Sequence, residues 1–151
     1  MFACNGILFS HISPLQPEFT VTKKIAKTVV AISRGVESSL TLGILSSRRD
    51  FSFAGDIVEA MWLMLQQKIP NDFVICASKT FSIKQIAQAA FKAAGIKNFN
   101  QKIKIDSSLF HAGDVKNMRG SNAKAKKILG WNPKVSMSQL MKMLIDFELT
   151  R

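Results

Sequence analysis

Apolar and polar positions along the chain alternate between two periods, one suited to buried strands and one to amphipathic helices. Asn5–Phe9 (NGILF) is a short apolar run of buried-strand type, and Ser13, Pro14 and Pro17 mark a loop behind it. Thr22 is the expected N-cap of a helix over Lys23–Arg34, where Ile25, Val29, Val30 and Ile32 form the apolar side and Gly35 supplies the stop. Leu40–Leu45 reads as a strand and Ser46–Asp50 as a basic turn. The helical period returns over Asp56–Gln67, with Ile57, Ala60, Met61, Met64 and Leu65 inward, until Pro70 and Asn71 break it. Asp72–Ala77 (DFVICA) is the clearest strand, an uninterrupted apolar run of the kind found in parallel sheets. Ser82 caps a helix over Ile83–Ala94 that Gly95 closes, and Lys102–Ile105 is a basic extended stretch. Asn122 starts a short helix to Leu129, ended by Gly130. Beyond Pro133 a last amphipathic helix covers Met137–Phe147. Strands alternating with helices predict an α/β fold.

Composition changes this picture little. Apolar residues make up 47% of the 151 and charged residues 21%, enough for one domain with a sizeable core. No apolar run approaches the ~20 residues that span a bilayer. The opening Met1–Phe9 has no basic segment before it and no small-residue cleavage site after it, so it reads as a strand rather than a signal peptide. Cys4 and Cys76 form neither a metal spacing nor a disulfide framework, which fits buried thiols in a reducing cytoplasm. The formal charge of +11 is spread over Lys23, Lys24 and Lys27, Arg48 and Arg49, Lys116 and Arg119, and Lys124, Lys126 and Lys127. Nucleic acid, an anionic membrane surface or a phosphorylated ligand each select such charge. Aromatic residues do not interleave with it, so the stacking signature of a single-strand binder is missing and most of the charge reads as a solvated face.

The absences carry chemical information. A dinucleotide-binding turn needs glycines two or three residues apart, so that backbone approaches a pyrophosphate at a helix N-terminus. Here they stand at Gly6, Gly35, Gly43, Gly55, Gly95, Gly113, Gly120 and Gly130, never that close. The chain has no tyrosine, so acid–base chemistry through a phenol has no residue to run on. His11 and His111 are too scattered for metal ligation and sit in no nucleophile signature with either cysteine.

Several segments, in order, resemble the second half of the GDP-mannose 4,6-dehydratase family of extended short-chain dehydrogenases. They are Ala3–Pro14 (ACNGILFSHISP), Phe19–Ile25, Leu42–Phe51 (LGILSSRRDF), Asp56–Phe73 with the following VICAS, and Gly120–Pro133 (GSNAKAKKILGWNP) with its Gly-Trp-x-Pro turn. The resemblance implies an incomplete Rossmann-type fold, made of the last sheet strands and the substrate-binding lobe. The NADP-binding amino-terminal half and its Tyr/Lys catalytic group would then lie outside the chain. It implies a cofactor contact for His11, nucleotide-phosphate contacts for Lys24 and Arg49, and a ribose or base contact for Asp114. Lysine charges and arginine forks suit a pyrophosphate, and a carboxylate suits a ribose diol.

Departures from the family pattern are numerous. Ser10 and Ile44 each stand where the family has Asn, Leu15 and Gln16 replace a pair of arginines, and His111 replaces an Arg. Each lost charge-assisted contact costs on the order of 1.5–3 kcal/mol. The expected function is therefore a dehydratase-like part, inactive alone, whose family substrate is GDP-mannose and whose partner is a missing amino-terminal half or an intact dehydratase subunit. A small basic module for nucleic acid or another acidic partner, or a regulatory subunit of an intact dehydratase, is the alternative.

Overall fold

Eight strands and five α-helices make up the described part of the chain, which is every residue except His111, Ala112 and Asp114, in a computed structural model. The strands are β1 (Gly6–Leu8), β2 (Ser10–Ile12), β3 (Leu40–Leu42), β4 (Arg48–Phe53), β5 (Phe73–Ile75), β6 (Thr80–Ser82), β7 (Ile103–Ile105) and β8 (Asn117–Met118). The helices are α1 (Val21–Ser33), α2 (Ala54–Leu65), α3 (Ile83–Ala93), α4 (Ala123–Leu129) and α5 (Met137–Leu149). Three small sheets result. Strand β1 pairs in parallel with β5, and β3 in parallel with β7. Central β4 takes β2 and β8 in parallel and β6 antiparallel. The fold is α/β, as the alternation of elements predicts.

Two apolar cores hold these layers. The larger is helical: Ile25, Val29, Ile86, Phe91, Leu140, Met141 and Ile145 of α1, α3 and α5 close over Leu40 and Leu42 of β3. The smaller joins α2, β5 and α4 through Ile57, Met64, Phe73, Ile75 and Trp131. The Gly-Trp-x-Pro turn has a clear structural role. Gly130 ends α4 at φ +66°, and the buried Trp131 ring then donates its Nε1–H to the Asp56 carbonyl at 2.8 Å. Asp56 in turn accepts the amides of Lys134 and Val135, tying the turn to the start of α2. Gly120 is also required: a Cβ there would lie 2.7 Å from Cys76 Sγ and 2.8 Å from the Phe9 ring.

Several expectations need correction. The Asn5–Phe9 run gives β1 and is followed directly by a second, unexpected strand, β2; β1 is exposed rather than buried, because β5 is its one strand neighbour among the described residues. Helix α1 begins two residues earlier: Thr20 is its N-cap, and Thr22 is inside it, donating its hydroxyl to Gln16 Oε1 at 2.8 Å. The strand expected over Leu40–Leu45 stops at Leu42. The basic turn over Ser46–Asp50 runs instead into β4, because its polar side chains find partners on distant segments. In α2 the inward positions Ile57, Ala60 and Met64 are buried, but Met61 and Leu65 face out. The helices α3, α4 and α5 lie close to their expected ranges, and Ser82 and Gln85 form the capping box that starts α3.

One tie between layers is ionic. Lys23 is 3% exposed and meets Glu148 at 2.5 Å, while also donating to the Pro14 carbonyl at 3.0 Å and lying 4.8 Å from the Phe147 ring centre. It clamps α5 onto α1. Removing one partner strands the other charge in an apolar setting, which costs more than the pair contributes. Lys23→Met is expected to lower stability by about 3–5 kcal/mol, read as a lower urea midpoint. Loss of less than about 1 kcal/mol would show that Glu148 finds water instead.

Candidate functional site

Strand β4 organises the site. Alternation along it sends neighbouring arginines to different tasks. Arg48 is a staple: its Nε and Nη2 donate to Thr80 Oγ1 and the Thr80 carbonyl at 3.2 and 2.9 Å, holding β6 against β4. Arg49 lines an open cleft of about 530 Å³, and its Nη1 donates to Ser47 Oγ at 2.7 Å and to the carbonyls of Arg48 and Val115. These bonds hold the guanidinium at the mouth of the cleft.

Lys24 enters the same cleft from α1. Its position follows from the helix starting at Val21, which turns Lys23 inward to Glu148 and leaves Lys24 exposed. The Asp106 carboxyl, held below its ordinary range chiefly by the Ser108 hydroxyl and amide, also feels the Lys24 charge. Apart from the hydroxyls of Ser10, Thr20 and Ser47, the remaining described walls are apolar: Phe19 and Val21 before and on α1, Leu42 of β3 and Ile44 after it, Phe51 of β4, Ile83 of α3 and Leu109. No carboxylate is among these described lining residues.

His11 lines a second cleft, of about 570 Å³, on the other side of a wall that both clefts share at Ser10, Thr20, Val21 and Phe51. Its Nδ1 lies 3.1 Å from the Phe9 carbonyl. A carbonyl only accepts, so Nδ1 is the donor in this contact. Gln16, which stands at a family arginine position, accepts the hydroxyl of Thr22, a residue of this cleft's lining, without itself being among the lining residues, and Leu15 is exposed.

Behind β4 a buried polar cluster sets its position. Asp50 is 1% exposed and accepts the Ala77 amide at 2.8 Å. Burial pushes its carboxyl above the ordinary carboxylate range, offset in part by the amides of Ala77, Ser78 and Lys79. Burial likewise raises the Cys76 thiol, which lies 3.6 Å from Ser78 Oγ. Asn122 joins the start of α4 to this loop, its amide N–H reaching Ser78 Oγ at 2.8 Å and Nδ2 the Cys76 carbonyl at 3.1 Å. This is scaffolding: it fixes the strand that carries Arg49.

The structure thus brings Lys24 and Arg49 into one cleft and His11 into its neighbour. Asp114 and His111 lie outside the described residues. The hydrophobic wall of Phe19, Ile44, Phe51 and Leu109 was not among the expected site residues. Its members come from four separate segments, and the one local signal was the alternation Arg49, Phe51, Phe53 along β4.

Residues 1–144 match the family model described as GDP-mannose 4,6 dehydratase. GDP-mannose 4,6 dehydratase 1 of Arabidopsis thaliana is 42% identical over 149 residues, covering 99% of this chain and 41% of the relative. The Drosophila melanogaster GDP-mannose 4,6 dehydratase is 37% identical over 169 residues, covering all of this chain and 43% of the relative. The chain therefore spans about two fifths of the length of the curated relatives it matches. Among solved structures, RMD of Pseudomonas aeruginosa complexed with NADPH superposes with a TM-score of 0.85 at 20% identity, over 98% of this chain and 48% of that one. UDP-glucose 4-epimerase of Thermotoga maritima with UDP-glucose gives 0.80 at 20%, over 95% and 45%. At such identities the structures speak for the fold, and the sequence match to the dehydratases settles the kinship. The chain belongs to the GDP-mannose 4,6 dehydratase family.

Proposed function

We propose that this chain is the nucleotide-sugar-gripping part of a GDP-mannose dehydratase, a single partial domain that works with a dinucleotide-binding half not among its residues. The observation that carries the reading is the convergence of Lys24 and Arg49 on one cleft, with no carboxylate among its described lining residues, beside the His11 cleft. Two cations from different elements suit the pyrophosphate of a GDP-sugar, Arg49 as a fork and Lys24 as a point charge. Asp114 is proposed as the ribose or base contact, as the resemblance implies.

NADP, the cofactor named by resemblance, does not fit the residues present by themselves. The His11 cleft has no lysine or arginine among its described lining residues, and the uncharged Gln16 stands beside it, bonded to Thr22. The second half therefore supplies cofactor binding as well as the catalytic group. Two free thiols fit a cytoplasmic location, and among the described residues no helix is long and apolar enough to cross a membrane.

The test is a titration of the isolated chain with GDP at low salt, followed by amide NMR shifts. Half a site lacks preorganisation, so the expected Kd is about millimolar. Shifts are expected around Ser46–Asp50 and the start of α1, lost in both Lys24→Ala and Arg49→Ala. Lys24 is exposed, so its variant leaves the fold intact and separates binding from structure. Shifts confined to Lys124–Lys127, or equal binding by wild type and both variants, would overturn the reading.

A further inference from the structure

The cleft's hydrogen-bonding capacity decides what it accepts beside a phosphate. Its described lining carries three hydroxyls, on Ser10, Thr20 and Ser47. The Thr20 hydroxyl already donates to the Pro17 carbonyl at 2.9 Å. The Ser47 hydroxyl donates to the Val115 carbonyl at 3.3 Å and accepts from Arg49. Ser10 is left as the one hydroxyl with both roles open. A hexose brings several hydroxyls, each of which loses water on entry and needs a partner.

Most of the rest of the lining is apolar, with Leu42, Phe51 and Ile83 buried behind it and Phe19 and Leu109 accessible at its rim. Phe19 is 89% exposed and Leu109 37% exposed, and Ile44 and Phe51 continue the surface toward Arg49. Gly43 lets the Leu109 backbone approach, since a Cβ there would lie 3.0 Å from the Leu109 carbonyl oxygen. Such walls reward a flat or apolar group and leave sugar hydroxyls unpaired.

Resting on the proposed anion site, we infer that this cleft selects phosphate esters of an aromatic or apolar group and discriminates against phosphorylated sugars, with Phe19 and Ile44 as the selecting side chains. The phosphate is held by Lys24 and Arg49, while the ester group lies on Phe19, Ile44 and Leu109. Ile44 offers a branched hydrocarbon with no hydrogen-bonding group for a sugar hydroxyl, and Phe19 supplies a face for stacking.

The test is a set of calorimetric or NMR titrations of the intact chain with phenyl phosphate, mannose 1-phosphate and inorganic phosphate. At pH 8 the two esters, whose second ionisation lies at about 6, are dianions, and inorganic phosphate, which ionises somewhat higher, is mostly so. Phenyl phosphate is expected to bind about tenfold more tightly than mannose 1-phosphate, and mannose 1-phosphate no more tightly than inorganic phosphate. Phe19→Ser, at an exposed loop position, is expected to erase the phenyl preference while leaving inorganic phosphate binding unchanged. Ile44→Asn is expected to tighten mannose 1-phosphate. Equal or tighter binding of mannose 1-phosphate by the wild type overturns this selectivity while leaving the anion site standing. Binding of none of the three overturns both.

Discussion

Supplied with GDP-mannose and NADP, the purified chain is expected to release no 4-keto-6-deoxy product above a buffer control. The reason is chemical rather than conformational. Oxidation at a sugar carbon in this enzyme class runs through a tyrosine phenol, and the chain contains no tyrosine at all. Its glycines are never spaced to let backbone cradle a pyrophosphate. The structure adds that no lysine or arginine is among the described residues lining the His11 cleft. General acid–base catalysis alone is worth about 10²–10⁴-fold, and cofactor placement is lost with it, so the deficit lies beyond detection. Chromatographic assay of the nucleotide sugar after long incubation checks this. Any turnover above the control contradicts it.

The isolated chain is also expected to self-associate at high concentration. Helix α2 is apolar on two sides. Ile57, Ala60 and Met64 fill the smaller core, while Val58, Met61, Trp62 and Leu65 form a second stripe at helical spacing, 63%, 47%, 60% and 59% exposed. A helix apolar all round normally lies buried. Beside it, β1 presents Ile7 at 56% exposure and an open edge. Asn5 and Phe9 direct their backbone groups at β5, so Gly6 and Leu8 direct theirs the other way. An open strand edge next to an apolar stripe is an aggregation template. Light scattering after size exclusion is expected to show oligomers that Trp62→Lys shifts toward monomer. A monodisperse wild-type monomer with a sharp, cooperative melt contradicts this.

Legibility in the sequence followed the range of the interactions. The cap at Ser82 and the stop at Gly130 depend on residues within one turn, and both are legible in the sequence. The segment Ser46–Asp50 was not, because its charges look like a turn until Thr80 and Ala77 arrive as partners for Arg48 and Asp50. Met61 and Leu65 were placed inward because periodicity finds apolar stripes without saying which of two meets the core. Lys24, Arg49 and His11 came from resemblance to a family. Their assembly into adjoining clefts required α1 to start at Val21 and β4 to lie between β2, β6 and β8. The apolar wall, and with it the selectivity inferred above, needed the fold.

The central claim, that this chain is a dehydratase part built to lie against a dinucleotide-binding half, has one direct measurement. The chain is coexpressed with the portion of the Arabidopsis dehydratase that it does not span, and tryptophan quenching is followed together with mass by light scattering. Trp131 is buried at 2% exposure, so Trp62 at 60% reports on the α2 face almost alone. The account predicts a one-to-one complex, disappearance of the oligomers, and protection of Trp62 from acrylamide. Separate elution of the two polypeptides, with Trp62 as quenchable as before, would contradict it.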